Sequence, residues 1–137
     1  MVESRRTGAI MSDMGTFRID IELENPASRG VLRSVNQLVV DTGSELTWVP
    51  APVLEALGIA REREKAFRQA TGAIVTRWVG AAVIHAADTF THDEIVFGEP
   101  GDLRILGSRT REGLNVTIDP VLKRLVDAGP MPAAAAA

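Results

Sequence analysis

The chain has no cysteine among its 137 residues. A disulfide framework, a thiol nucleophile and cysteine-ligated metal are therefore excluded, and a reducing compartment is compatible with this. There is no apolar run near the roughly 20 residues that cross a bilayer as a helix. The first residues, MVESRRTGAIMSDMG, carry an arginine pair but no apolar core of signal-peptide length behind it. Blocks of like charge are missing too: 15 basic and 18 acidic residues are interspersed and sum to a net charge of −3. A nucleic-acid or polyanion binder would leave a basic footprint that this chain does not have. No repeat of roughly 20 to 50 residues is visible, which argues against a solenoid. These absences predict a cytoplasmic protein without membrane, nucleic acid or cofactor as partner.

What is present is an ordinary globular composition, 45% hydrophobic and 24% charged. The length suits one domain with a modest core. Residues 1–14 are mixed and read as a flexible N-terminal segment, and residues 129–137, ending in PMPAAAAA, read as a low-complexity tail. The folded domain is expected over residues 15–128.

Phe17, Ile19, Ile21 and Leu23 alternate with Arg18, Asp20, Glu22 and Glu24, a period of two that predicts a half-buried strand. Asn25 to Gly30 reads as a turn, and Val31 to Val40 as a second strand ending in the apolar Leu38-Val39-Val40. Leu46 to Val49 favours a strand. Pro50 and Pro52 then permit a short helix with Val53, Leu54 and Leu57 on one face and Gly58 at its C-terminal cap. Glu62 to Arg68 is a charged rim strand or an exposed connector. Thr71-Gly72 marks a hairpin tip before Ile74 to Val79. Strand-like stretches recur at Ala81 to Ala86, Glu94 to Phe97, Leu103 to Gly107, Leu114 to Ile118 and Arg124 to Val126. Ser108 to Gly113 is expected as a short helix with Ser108 as its N-cap. Eight or so short strands with one or two short helices predict a mainly β domain rather than a parallel α/β sheet.

Within that pattern, LVVDTGSELTWVP runs three apolar residues directly into Asp41 and then bends through Thr42-Gly43-Ser44. Aspartate and glycine are common in turns, so a plain tight turn is one reading. A phosphate-cradling loop is disfavoured because its glycine spacing and lysine are missing. About 65 residues later comes a second apolar pair ending in glycine, Ile105-Leu106-Gly107, followed by a short helix and the strand LNVTID. With these two glycine signatures in this order, the chain from about Gly15 to Val126 resembles the retropepsin-like aspartic proteases, small single-domain bacterial members in particular.

The resemblance implies an acid-protease half-fold, a closed β-barrel with one catalytic turn per chain. It implies that Asp41 is the general acid/base. Thr42 would hold the turn across a dimer, Gly43 would admit close approach of substrate, and Ser44 would bond the outer oxygen of Asp41. Thr71, Gly72 and Ala73 would form the tip of a substrate-covering flap. Leu103 to Ile105 would form a wall of the cleft, with Ile105, Leu106 and Gly107 as structural support behind the turn. GLNVTIDPVLKRLV is similar to the closing strands of such proteins. Hydrolysis by carboxylates needs two of them sharing one proton, because like charges about 3 Å apart cannot both ionise. Only one Asp-Thr-Gly is present, and Asp127-Ala128-Gly129 lacks the hydroxyl. The expectation is therefore a homodimeric aspartic endopeptidase acting on peptides or unfolded protein. The alternative is a non-catalytic dimerisation or peptide-binding module that keeps the fold. His85 and His92 carry no metal-binding motif, so no metal is expected. Trp48 and Trp78 are expected in the core or against a partner.

Overall fold

The structure, a computed structural model, describes residues 17–134. The segment 1–14 expected to be flexible, and the last three residues of the alanine-rich tail, lie outside the described residues.

The strands are β1 (Arg18–Asn25), β2 (Ser28–Val40), β3 (Thr47–Pro50), β4 (Arg63–Arg68), β5 (Ile74–Ala86), β6 (Thr89–Gly98), β7 (Ile105–Leu106), β8 (Val116–Asp119) and β9 (Arg124–Asp127). The helices are α1 (Ala51–Ala56) and α2 (Ser108–Leu114). The domain is thus mainly β. Seven strands make a mixed sheet in the order β1-β2-β7-β3-β6-β5-β4, and β8 and β9 pair with each other as a separate two-stranded sheet.

The expected closed barrel is not formed. β1 does cross to β5, through Glu22↔His85, Leu23↔Ile84 and Glu24↔Val83. The other side is too sparse to close a barrel: two-residue β7 meets β2 at Val39↔Ile105 and Val40↔Leu106, and β3 at Trp48↔Ile105 alone. A barrel needs a continuous staggered ladder, which so short a strand cannot supply.

Local chemistry accounts for most element ends. In α1, Pro50 is the N-cap, and the helix closes with Gly58 N–H donating to Glu55 O at 2.9 Å and Ile59 N–H to Leu54 O at 3.0 Å. Gly58 has φ +73, the left-handed conformation this helix terminus requires of its glycine. The turn between β1 and β2 is tighter than the sequence suggested. It takes only Pro26 and Ala27, with Asn25 Oδ1 accepting from Ala27 N–H at 2.8 Å. Farther along, Ile19 pairs with Leu38 but Ile21 with Val35, so β2 carries one extra residue there. Gln37, at φ 63, absorbs that bulge, and Asp20 Oδ1 caps its amide at 2.9 Å. β5 runs unbroken through Gly80, where two stretches were expected. A Cβ at Gly80 would lie 2.4 Å from Ala60 O, so the glycine reflects close packing rather than a break.

The main core gathers inward residues of β1, β2, β5 and β6 with Leu54 of α1 and Leu106 of β7. One charged residue sits at its edge. Glu24 is 4% exposed; its carboxylate accepts from Gly30 N–H and meets His85 Nε2 at 2.8 Å and Arg29 Nε at 2.9 Å. The Gly30 amide first, then His85 and Arg29, hold the Glu24 carboxyl at about 2, well below its ordinary 4.5. A depressed carboxyl stabilises the fold in its ionised form; that contribution is complete above the unfolded value and is lost as pH falls through the folded one. Thermal melts should therefore lose stability as pH is lowered from 4.5 towards about 2. In Glu24→Gln this component of the acid dependence should disappear.

Candidate active site

The turn after β2 is built by its own short side chains and backbone. Asp41 Oδ1 accepts from Gly43 N–H at 2.8 Å, and Asp41 O accepts from Ser44 N–H at 3.3 Å. A side chain at Gly43 would place its Cβ 3.3 Å from the Asp41 carboxylate oxygen. Asp41 is partly buried, whereas Thr42 and Gly43 are exposed at the crest of the turn. Ser44 does not reach Asp41 as expected. Its hydroxyl donates to Leu46 O at 2.9 Å, a nearer acceptor within the same bend.

Behind the turn runs Ile105-Leu106-Gly107. Val39 and Val40 pair in parallel with Ile105 and Leu106, and Asp41 N–H donates to Leu106 O at 3.4 Å. Gly107 lies against the outgoing arm of the turn, where a Cβ would sit 2.4 Å from Glu45 O and from Leu46 C. Only glycine allows that approach. The helix that follows uses the same arm. Ser108 was expected as the N-cap of α2; the N-cap is Gly107, with no side-chain cap. Instead Ser108 N–H donates to Ser44 O at 2.8 Å and Arg109 N–H to Glu45 O at 3.0 Å. The helix's open amides are thus satisfied by the carbonyls of the turn.

A second cluster ties the β4–β5 hairpin to this region. Leu46, Trp48, Val79 and Val96 are buried together, with Phe67 of β4, Val75 of β5 and Ile105 packed on them. Trp48 meets Phe67 edge-on, ring centroids 5.0 Å apart. At the hairpin tip Thr71, Gly72 and Ala73 are exposed. Gly72 has φ +91, its N–H donates to Gln69 O at 2.9 Å, and Gln69 N–H donates to Ala73 O at 2.8 Å.

Leu103 is 67% exposed on the stretch leading into β7, and Ile105, half-buried, pairs with Val39 two residues before Asp41. The loop leading to them is pinned by Arg77, whose Nε and Nη2 donate to Asp102 Oδ2 and Oδ1 at 2.7 and 2.9 Å. Asp102 also accepts from Glu99 N–H at 2.8 Å. The Arg77 hydrogen bond holds the Asp102 carboxyl below its ordinary range.

Other candidates fall elsewhere. Asp127 Oδ1 accepts from Gly129 N–H at 2.8 Å, like Asp41 with Gly43, but it ends a strand of the separate two-stranded sheet. His85 pairs with Glu24, and among the described residues no three His, Asp or Glu side chains are grouped to hold a metal. No helix among them is long and apolar enough to cross a membrane. Trp78, expected in the core or against a partner, is 40% exposed and borders a groove of about 580 Å³ with Phe97, Pro52 and Arg61. Missed by the sequence reading was the buried trio Thr47, Thr110 and Asp93, drawn from positions far apart in the chain.

No protein-family model matches the chain, and no curated protein matches it significantly.

Two glycines separate packing from turn strain. Gly107→Ala should lower stability by about 3 kcal/mol or more, because rigid backbone stands where the methyl must go. Gly72→Ala meets nothing within 4 Å and costs only its positive φ, about 1–2 kcal/mol. Urea unfolding of the two variants against wild type checks the order.

Proposed function

We propose that the chain is an aspartic endopeptidase that works as a homodimer, each protomer supplying one Asp41 to a shared dyad. One observation carries this reading. Asp41 stands at the end of an apolar strand, in an Asp-Thr-Gly turn whose crest is exposed and whose back is locked by Leu106-Gly107. A carboxylate in a fixed turn with an exposed crest supports a chemical role over a purely structural one. The expected flap and cleft wall lie on elements that meet the same buried cluster, through Phe67, Val75 and Ile105.

A single carboxylate cannot both take a proton from water and give one to the scissile carbonyl. Two copies of Asp41 meeting across a two-fold axis divide these roles. One, ionised, removes a proton as the water oxygen adds to the carbonyl carbon. Its protonated mate gives its proton to the carbonyl oxygen. The C–N bond then breaks as a proton passes to the leaving nitrogen, and the pair returns to one shared proton. The dyad titrates as a unit, so its pH profile belongs to the pair. Leu103, exposed on the stretch leading into β7, supplies apolar contact for a substrate side chain, and the exposed Thr71-Gly72-Ala73 tip covers the extended peptide from the other side.

The test is digestion of a mixed peptide library from about pH 4 to 7, the range in which a shared-proton dyad is expected to act. Wild type and Asp41→Asn are compared by mass spectrometry, with sedimentation run alongside. Cleavage by a dimeric wild type that vanishes in Asp41→Asn is the expected outcome. A dimer that cleaves nothing assigns the chain to the non-catalytic module instead. A monomer at micromolar concentration defeats both readings.

A further inference from the structure

Behind the turn lies a run of hydrogen bonds whose direction can be worked out. Thr47 and Thr110 are fully buried, and the Asp93 side chain is 6% exposed. Thr110 Oγ1 donates to Asp93 Oδ2 at 3.1 Å. A hydroxyl has one proton, so Thr110 must accept at its other contact, from Thr47 Oγ1 at 2.6 Å. Thr47 has then spent its own proton and accepts from Gly107 N–H at 3.0 Å. The Gly107 N–H belongs to the same peptide unit as the Leu106 carbonyl, and that carbonyl accepts from Asp41 N–H at 3.4 Å. Every bond therefore points the same way, from the amide of Asp41 through one peptide plane and two hydroxyls to a carboxylate. Bonds aligned head to tail polarise one another, and an ionic acceptor at the end strengthens the run.

Asp93 is itself fixed. Its Oδ1 accepts from Glu94 N–H at 2.8 Å and faces Arg109 Nη2 at 3.2 Å, and Arg109 lies on the helix that Gly107 caps. The weakest link is the last one: at 3.4 Å the Asp41–Leu106 bond is long, so a small rotation of the Leu106–Gly107 peptide makes or breaks it. The Gly107 N–H end of that plane is held by Thr47.

We infer that Asp93, Thr110 and Thr47 are positioning residues for Asp41, setting through the Leu106–Gly107 peptide the backbone of the carboxylate that the peptidase reading assigns to catalysis. None of the three touches substrate. Their part is to keep the turn in one orientation, so that two Asp41 carboxylates can meet without a search.

The experiment uses the full chain in three forms: wild type, Thr110→Val, which keeps shape but has no hydroxyl, and Thr110→Ser, which restores it. Amide hydrogen exchange is read by NMR at Asp41 and Gly107, with Val39 and Val40 as controls, since these donate to Arg104 O and Phe17 O outside the run. In Thr110→Val the exchange of Asp41 and Gly107 should rise about tenfold while the controls stay within about twofold, and Thr110→Ser should return it towards wild type. On a cleavable peptide, kcat should fall about tenfold or more with KM changed by less than about twofold. Unchanged exchange at Asp41 in folded Thr110→Val overturns the inference. So does a failure of Thr110→Ser to restore it, which would mean a packing role, or an unchanged kcat in an active enzyme. Should Thr110→Val not fold, Asp93→Ala, which removes the terminal acceptor, replaces it, and unaltered exchange at Asp41 there is equally fatal. A wild type that cleaves nothing defeats the peptidase reading, and the exchange result then decides the backbone coupling alone.

Discussion

At Gly107 two stretches of backbone come together so closely that a Cβ there would lie 2.4 Å from Glu45 O and from Leu46 C. A single methyl at Gly107 would drive them apart, and much follows from its absence. β7 slips in beside β2 and β3 and separates the two strands that enter and leave the turn. The first amides of α2 reach the carbonyls of Ser44 and Glu45 and need no capping side chain. The Gly107 N–H reaches the Thr47 hydroxyl. A helix, a strand pair and a buried polar run thus converge on one turn because one residue has no side chain.

Charge is handled differently around that centre. At the far end of β1 a nearly buried carboxylate, Glu24, is surrounded by an amide, a histidine and an arginine. Elsewhere Arg77 grips Asp102 with two bonds and fixes the loop before Leu103. Neither group takes part in the turn. Among the described residues Asp41 has amide partners instead, Gly43 N–H at its carboxylate and Ser44 N–H at its carbonyl.

Local patterns in the chain were readable where the cause is local. Alternation at Phe17 to Glu24 gave β1, the two prolines and Gly58 framed α1, and Gly72 marked the hairpin tip. What could not be read has long-range or backbone causes. β5 and β6 join through Ala87 and Asp88, both at positive φ, without the glycine or asparagine that usually announces such a turn. Gly80 reads as a break but marks a close neighbour, Ala60. β7 is too short for any periodicity, and its place between β2 and β3 depends on pairing Ile105 with Val39 and Trp48, far away in the chain. That short strand is also why an expected barrel became an open mixed sheet. In the candidate site, Asp41 and Gly107 announce themselves by motif, whereas Thr47, Thr110 and Asp93 have nothing in their surroundings to mark them. Their meaning arises only when residues 63 and 17 positions apart are brought into contact.

The two tryptophans occupy opposite situations. Trp78 faces solvent on the outer groove, while Trp48 is nearly buried, edge-on to Phe67 of the β4–β5 hairpin. Their indole emissions therefore separate by colour, water-like for one and blue-shifted for the other. Lifting the hairpin removes the ring that shields Trp48, so the chain carries its own optical gauge of hairpin position, with no dye attached.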